Sequence, residues 1–539
     1  MYLSRPFLAL AALPLACALS VAWADTPLIP GTPVSGDVQA NADQHWQLTL
    51  HKGDLVFGHL KGDTNLRLMS EQGQPQRLLV DGTDLARDFM FVADRDGPVT
   101  LLAEQAEAWQ SPRYELRISR IVPRAEQHPP AEAIESPTLQ ALKASVLKGG
   151  TTQAFWAERE RQGTPLVEPV GAQGDAMRVT FLWRGARHGV TLFGAPSGDH
   201  DPLIQLEHTD VWYRSYVVPA GTRLSYQLAP DVPQLDERFP DRRRVVLATL
   251  QRDPLNPLTF ASAPGDDKYR QRSLLVLKGA PAQPWLQADP HVAKGTLERV
   301  AMDSKALGNR RDVYLYRPTG WTAGATERGL LVLFDAQAYL RQVPTPALLD
   351  NLIAAKRIPP TAALLVGNPS AESRGHELPP NPLFARFLAE ELLPWAKRQG
   401  ISAEGHRTVL AGSSYGGIAS TYAALRYPQQ FGNVLSLSGS YWWSPHGEEP
   451  GWLTRFARDA QSVPVRFFMR AGLFERGKGG HMDLLGSNRN MRDVLIAKGY
   501  AVDYGEFAGG HDYAQWGGEL ANGLEALLGK PDRQTAQER

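Results

Sequence analysis

Hydrophobic and polar residues alternate along a series of short runs in the hundred residues that follow position 25. Glycine, aspartate and proline separate these runs, which are WQLTL, DLVFGHL, NLRLMS, FMFVA, VTLLAE and YELRISRI. A period of two places one face of each strand in a core and leaves the other to solvent. The pattern predicts a β-sandwich accessory domain over residues 25–124.

The alternation returns after a polar, proline-rich linker at 123–137. A short helical pattern, TLQALKASVL, comes first, and the strand-like runs that follow are MRVTFLWRG, GVTLFGA, DVWYRSYVVP and RLSYQLAP. These runs predict a second β-sandwich over 136–262. A second connector, with several prolines and charges, is expected over about 261–292.

From about residue 295 the hydrophobic period changes along the chain. Buried-strand runs such as LLVLFDA, AALLVGNP and VRFFMRAG alternate with helical patterns such as PLFARFLAEELLPWAKRQG and GGIASTYAALRYP. Strands that alternate with helices are typical of an α/β domain with a mainly parallel sheet. We expect this domain over 290–531.

The N-terminus has the pattern of an export signal. Arg5 precedes an apolar run from Phe7 to Val21 and a small-x-small site at 22–24, which predicts a signal peptide over 1–24. No comparable apolar run follows, so we expect no stable membrane insertion. We predict a periplasmic protein, with secretion as the alternative. The single cysteine, Cys17, lies inside the signal, so disulfides and thiol chemistry are not expected in the mature chain.

Charge excludes one class of partner. The 539 residues include 57 basic and 57 acidic side chains, so the formal net charge is zero. Nucleic acids are usually bound by basic surfaces, and none is expected as a partner here.

A serine between glycines is the first candidate for chemistry. Gly412, Ser414 and Gly416 form a G-x-S-x-G motif between the strand-like TVL and a helical pattern. Such a strand–turn–helix corner presents a nucleophilic hydroxyl, and its tightness requires small neighbours. Gly417 would let the helix pack close to the sheet. A chance glycine-rich loop is the alternative interpretation.

A hydroxyl needs a base to become a nucleophile, and the order on this type of fold is serine, acid, histidine. His511 follows a strand-like run near the end of the domain. Glu475 follows another strand and is the first candidate for the acid, with Asp483 on the same loop as a rival and Asp512 as a third. His481 is interpreted as a solvated loop residue or a substrate contact. No histidine pair has metal-ligand spacing, so we expect neither a metal site nor a cofactor.

The motifs resemble a known family. LLVLFDAQAYL, ESRGHELPPN, AGSSYGGIASTYAALRYPQQFGNVLSLSGSYWW and AGGHDYAQWGGEL resemble the enterochelin (enterobactin) esterases, which belong to the esterase D group of α/β-hydrolases. VTFLWRG, TDVWYRSY and DPLNP resemble their immunoglobulin-like N-terminal domain, and the likeness covers about 136–530. Residues 25–124 resemble pre-peptidase accessory domains. The fold expected is two N-terminal β-sandwich domains followed by a C-terminal α/β-hydrolase domain.

The resemblance implies catalytic roles for particular residues. The nucleophile falls on Ser414, the base on His511 and the acid on Glu475. The oxyanion hole would use backbone N–H groups from Tyr415 and from either Ala336 or Gln337.

The resemblance also implies contacts with the substrate. Arg374 would attract an anionic catecholate or pair with Glu377, and Asp335 would shape its loop rather than catalyse. Three aromatic residues are expected to be partly core and partly in contact with the acyl group: Tyr441, Trp442 and Trp516.

The function implied is a serine esterase that hydrolyses the ester bonds of a catecholate siderophore. The substrate would be an enterobactin-like serine trilactone, apo or carrying ferric iron. A secreted carbohydrate esterase for feruloyl or acetyl groups is the alternative on the same scaffold. A third interpretation is a siderophore- or glycan-binding protein with an inactive hydrolase domain.

Overall fold

The computed structural model describes residues 26–38, 44–62, 64–82, 88–105, 113–126, 134–171, 174–232, 246–247, 249–322, 327–477 and 483–529. The predicted signal peptide and His481 lie outside these residues. The chain divides into two compact units, Met1–Ala133 and Ile134–Arg539. None of the helices in the described ranges is long and apolar enough to cross a membrane.

The first unit has two sheets around one core. Its strands are β1 (Thr26–Pro27), β2 (Val34–Asp37), β3 (Gln44–Leu50), β4 (Leu55–Lys61), β5 (Thr64–Met69), β6 (Pro75–Val80), β7 (Asp88–Val92), β8 (Gly97–Gln105) and β9 (Arg113–Val122). The sheet orders are β1-β3-β8-β5-β6 and β2-β9-β4-β7. Trp46 on β3 donates a 2.7 Å hydrogen bond to the hydroxyl of Tyr114 on β9, so the buried polar atoms satisfy each other between the sheets.

The second unit begins with residues 134–292, which we call the middle domain. Ser136 caps α1 (Pro137–Leu147) by accepting from the N–H of Leu139, and α2 (Gln153–Gln162) follows. The strands are β10 (Leu166–Val170), β11 (Ala176–Arg184), β12 (Val190–Phe193), β13 (Asp201–Pro202), β14 (Ile204–Gln205), β15 (Val211–Pro219), β16 (Arg223–Pro230), β17 (Thr259–Phe260) and β18 (Arg272–Val276). They form two sheets, β10-β11-β15-β14 and β13-β12-β16-β18-β17.

The middle domain extends further along the chain than its predicted end at 262. Strand β18 lies between β16 and β17 in the sheet, within the stretch interpreted as a connector. Leu275 pairs with Leu224 and is only 5% exposed. The sequence pattern does not indicate this strand, because it is short and lies among charges and prolines. Its formation depends on burial against the neighbouring strand rather than on the local pattern.

Residues 293–529, which we call the C-terminal domain, contain an eight-stranded sheet of order β19-β20-β22-β21-β23-β24-β25-β26. The strands are β19 (Thr296–Ser304), β20 (Asn309–Arg317), β21 (Gly329–Phe334), β22 (Thr361–Val366), β23 (Thr408–Ser413), β24 (Asn433–Leu437), β25 (Arg466–Gly472) and β26 (Ala501–Phe507). The sheet is parallel from β22 to β26, and only β19 and β20 are antiparallel. The mainly parallel α/β architecture predicted from the sequence is confirmed.

The helices of this domain are α3 (Ala336–Arg341), α4 (Thr345–Ala354), α5 (Ala371–Glu377), α6 (Pro382–Arg386), α7 (Leu393–Arg398), α8 (Tyr415–Arg426), α9 (Trp452–Asp459), α10 (Leu484–Ala497) and α11 (Tyr513–Leu528). A π-helical segment, Phe387–Leu392, joins α6 to α7. Two apolar clusters cover the faces of the sheet. Each parallel strand ends at the same edge, so the loops that follow β21, β23, β25 and β26 meet there.

Candidate active site

Ser414 occupies a strained corner between β23 and α8. Its φ is 59° and its ψ is −120°, a conformation that non-glycine residues rarely adopt. Its N–H donates to the carbonyl of Leu437 at 2.9 Å, and its carbonyl accepts from Gly417 at 3.0 Å. Strain of this kind costs about 1–3 kcal/mol and persists where the surroundings enforce it, commonly at active sites.

The neighbouring glycines allow the corner to form. A Cβ on Gly412 would lie 2.7 Å from the backbone of Gly416, and a Cβ on Gly417 would lie 2.6 Å from Oγ of Ser436. These approaches are too close for any side chain unless the backbone shifts. The strand–turn–helix context predicted for the motif is present, which excludes a chance glycine-rich loop.

His511 and Glu475 are joined by a hydrogen bond. Nδ1 of His511 lies 2.8 Å from Oε1 of Glu475, whose other oxygen accepts from the N–H of Gly472 at 2.8 Å. The Glu475 side chain is 1% exposed and that of His511 is 38% exposed. A buried carboxylate on Nδ1 fixes the orientation of the imidazole and leaves Nε2 available to a reacting hydroxyl.

Ser414 and His511 line the same cavity. The Ser414 hydroxyl lies 3.2 Å from Oγ of Ser440, with which it shares a hydrogen bond. A hydroxyl can accept from one partner while it donates to another, so the bond to Ser440 leaves Ser414 able to donate to the imidazole. Catalytic hydrogen bonds of this type commonly tighten only when substrate is bound.

The two other candidates for the acid have structural partners. Asp483 accepts from the N–H of Gly486 at 2.9 Å and caps α10. Asp512 accepts from Oγ of Ser225 at 3.0 Å and from the N–H of Ala514 at 3.0 Å, so it caps α11 and contacts the middle domain. Of the three carboxylates weighed, Glu475 alone is hydrogen-bonded to the imidazole.

The cavity has a volume of about 610 Å³ and lies between the middle and C-terminal domains. Ser414, Tyr415, Trp442 and His511 are among the lining residues of the C-terminal domain. The lining residues of the middle domain are Phe193, Gly194, Ala195, Gly198, Asp199, His200, Leu224, Ser225 and Arg272. No sequence motif marks this second wall, because its residues meet the site only through the packing of the two domains.

Arg374 and Glu377 do not pair with each other, so that one of the two alternatives given for Arg374 was wrong. Arg374 forms a two-pronged ion pair with buried Asp335, at 2.6 and 2.8 Å, and lines the cavity. Glu377 turns away to Arg311 at 2.8 Å and is 7% exposed, so its predicted substrate contact is also wrong. Burial lowers the pKa of Arg374, but the hydrogen bonds and charge of Asp335 outweigh it and raise the pKa, so the side chain stays cationic.

Asp335 has the loop-shaping place that the sequence predicts for it. It has a left-handed φ of 57° directly before α3, and it accepts a 2.6 Å hydrogen bond from Asn368 as well as those from Arg374. The carboxylate therefore ties together the loops that follow β21 and β22.

The aromatic residues separate into core and cavity. Tyr441 is fully buried and shares hydrogen bonds with Thr421 at 2.7 Å and Ser436 at 2.8 Å, so its predicted contact with substrate is wrong. Trp442 lines the cavity beside Tyr415, with ring centroids 6.3 Å apart.

Trp516 lies behind the histidine rather than in the cavity. It is 3% exposed and donates to Oγ of Ser438 at 3.0 Å. Its ring meets the ring of His511 edge to face at 4.6 Å, so it supports the imidazole instead of touching substrate as predicted.

The residues expected at the oxyanion hole begin two helices. Tyr415 is the first residue of α8 and lines the cavity, and Ala336 and Gln337 are the first two residues of α3. The first N–H groups of a helix have no acceptor within it. Ala336 and Gln337 are not among the residues that line the cavity.

Comparison with known proteins was consistent over most of the chain. The esterase family model matches residues 304–527, and the model of the enterochelin esterase N-terminal domain matches residues 178–286. The iron(III) enterobactin esterase of Dickeya dadantii is 33% identical over 426 residues, covering 71% of this chain and 94% of that protein. The iron(III) salmochelin esterase of Escherichia coli O6:H1 is 31% identical and covers 70% of this chain and 93% of its own.

Solved structures give the same result. The ferric enterobactin esterase of Salmonella typhimurium has a TM-score of 0.57 and 27% identity, and it covers 72% of this chain and 100% of its own. The enterobactin esterase of Shigella flexneri in the presence of enterobactin has a TM-score of 0.55 and 28% identity, with coverages of 70% and 97%. The chain thus belongs to the iron(III) enterobactin esterase family, in agreement with its sequence motifs.

Proposed function

We propose that this protein is a serine esterase that hydrolyses the ester bonds of a catecholate siderophore, an enterobactin-like trilactone in its apo or ferric form. The observation that carries the proposal is the 2.8 Å hydrogen bond between His511 and buried Glu475, in a cavity that also exposes Ser414 at a strained helix N-terminus. The names of the relatives that match most of the chain supply the substrate class.

The reaction begins with a proton transfer. Nε2 of His511 removes the proton of the Ser414 hydroxyl as Oγ attacks the ester carbonyl, and the Glu475 carboxylate stabilises the imidazolium that forms. The oxyanion accepts hydrogen bonds from the backbone N–H of Tyr415 and from that of Ala336 or Gln337. Loss of one such donor typically lowers the rate about 10²–10³-fold.

The tetrahedral intermediate then collapses. The bond between the carbonyl carbon and the leaving oxygen breaks, and the imidazolium of His511 gives its proton to that oxygen. An acyl group remains on Ser414. Water attacks it with His511 again as the base, which releases the carboxylic acid and restores the serine.

The cavity wall near Ser414 suits an acyl substrate with an anionic catecholate. The Arg374 guanidinium lies 5.6 Å from the centre of the Tyr415 ring, and Trp442, in the loop that follows β24, lies beside that ring with centroids 6.3 Å apart. A cation beside flat aromatic surfaces binds an anionic ring by charge and by stacking. Ferric iron would arrive with the substrate as cargo and would lose affinity for the ligand once the esters are cut.

We expect purified protein to convert the trilactone stepwise to the linear trimer, dimer and monomer, with both apo and ferric substrate followed by mass spectrometry. The carbohydrate esterase alternative is not favoured, because the relatives that cover two thirds of the chain are siderophore esterases. Feruloyl esters serve as the comparison. Faster turnover of feruloyl esters than of the trilactone would contradict the proposal, and no turnover of either would favour a binding protein.

We also propose that the protein acts after export, in the periplasm. The support is the charged, apolar and small-residue pattern of residues 1–24. Intact mass of the protein from a periplasmic fraction is expected to give a mature N-terminus near Asp25. Recovery of the full-length chain from the cytoplasm alone would contradict this location.

A further inference from the structure

One face of the middle domain forms a wall of the active-site cavity. In the sheet order β12-β16-β18, Leu192, Leu228 and Leu275 point into the domain's own core. Neighbouring residues on a strand point to the opposite face, so Phe193 on β12 and Arg272 on β18 lie on the outer face. Phe193 pairs with Gln227 on β16, and the neighbouring residue Tyr226 pairs with Ser273 on β18. Phe193 and Arg272 therefore lie in one row across β16. Two strand spacings separate their backbones, about 10 Å.

This outer face is fixed against the loops that carry His511 and Glu475. The N–H of Arg223 donates to the carbonyl of Ala508 at 3.1 Å, and Ser225 donates to the Asp512 carboxylate through both its N–H and its hydroxyl. A Cβ on Gly198 would lie 2.4 Å from the carbonyl oxygen of Phe474, which shows how closely the 194–200 turn approaches the acid loop. The wall is therefore held in place relative to the reacting groups.

Arg272 brings to this wall a guanidinium group with one unsatisfied N–H. The residue lines the cavity, and its Nε is buried with no hydrogen-bond acceptor among the residues that the structure describes. A buried donor without an acceptor is destabilising, and more so when the group is charged. Arg374, on the other wall, is held by Asp335 beside Tyr415, where it serves the arm that is being cleaved. Arg272 is thus the arginine of the middle-domain wall, and an anionic ligand would satisfy its buried N–H group.

A pair of stacked rings lies on the same wall. The rings of Phe193 and His200 are parallel to within 23° with centroids 4.1 Å apart, and both residues line the cavity. Such a pair offers a flat surface for a further aromatic ring. The cavity of about 610 Å³ falls in the middle of the range of about 300–1,000 Å³ that is usual for ligand sites, so it has room beyond one acyl arm.

We propose that Arg272, Phe193 and His200 form a second subsite, which binds a catecholate arm of the siderophore other than the arm being cleaved. The catechol ring lies against the ring pair, and its anionic oxygens accept from Arg272. The inference rests on the proposed function and deepens it, because it assigns recognition of a multi-armed substrate to the middle domain. The protein would consequently prefer the trilactone and its linear oligomers to esters with a single arm.

The test compares Arg272→Gln with wild type on two substrates, the ferric trilactone and p-nitrophenyl acetate, which has no second arm. We expect KM for the trilactone to rise about tenfold or more with kcat within about twofold, and both constants for p-nitrophenyl acetate to stay unchanged. Arg272→Lys, which keeps the charge, should restore part of the trilactone KM. Arg270→Gln is the matched control, since Arg270 is exposed and does not line the cavity.

His200→Ala is a second variant that is not expected to disturb folding, because His200 lies exposed on a loop. It should raise the trilactone KM several-fold without affecting p-nitrophenyl acetate. An unchanged trilactone KM in both Arg272→Gln and His200→Ala would overturn the subsite, as would an equal loss on both substrates. Failure of the wild type to cleave the trilactone while it cleaves p-nitrophenyl acetate would instead contradict the proposed function, and the subsite with it.

Discussion

Ser414→Ala is expected to lower kcat for ester hydrolysis by about 10⁶-fold, the loss seen when a triad nucleophile is removed. In the proposed mechanism the acyl group forms on the Ser414 hydroxyl, and the described residues lining the cavity include one other serine close to it, Ser440, at 3.2 Å. Ser440 does not occupy the strained corner between β23 and α8, so we expect no replacement of function. Single-turnover and steady-state rates on the trilactone give the measurement.

Ser413→Ala is the matched control for this variant. Ser413 is the adjacent residue and has the same side chain, but it ends β23, is 1% exposed and does not line the cavity. The control should retain activity within a few-fold of wild type. A large loss in Ser413→Ala combined with an active Ser414→Ala would contradict the assignment of the nucleophile.

Glu475→Gln is expected to lower kcat by about 10⁴-fold, similar to the effect of an amide at the triad acid in other serine hydrolases. The amide keeps the size of the side chain, and its oxygen can accept either from Gly472 or from His511. The charge that stabilises the imidazolium is lost in both cases. Because the Glu475 side chain is 1% exposed and held by Gly472 at 2.8 Å, we expect little change in KM.

Asp483→Asn tests the rival acid on the same loop. Asp483 caps α10 through the N–H of Gly486, and asparagine is an equally good cap, so activity should remain close to wild type. Steady-state rates for the two variants decide the question. A loss of activity in Asp483→Asn that exceeds the loss in Glu475→Gln would contradict the assignment of Glu475 as the acid.

The positions of the three proposed catalytic residues could be predicted from sequence because each follows a parallel strand. Ser414 follows β23, Glu475 follows β25 and His511 follows β26, and the ends of such strands meet at one edge of the sheet whatever the rest of the chain does. The glycines around Ser414 mark the corner locally. A signal confined to a few residues therefore sufficed for these positions.

The substrate contacts could not be predicted in the same way. Glu377 pairs with Arg311, 66 residues away on β20, and Tyr441 hydrogen-bonds to Thr421 on α8. Whether a polar or aromatic side chain faces the cavity or the core depends on such distant partners, and a motif does not contain that information. The same reason explains why Arg272, on a strand hidden among charges and prolines, was missed.

The central claim is that the Ser414 hydroxyl, with His511 as its base, becomes acylated. Incubation with a fluorophosphonate probe followed by peptide mass spectrometry tests it most directly. The account predicts one adduct on the peptide containing Ser414, abolished in Ser414→Ala and strongly slowed in His511→Ala. An adduct on another residue, or an unmodified protein that nevertheless hydrolyses the trilactone, would contradict it.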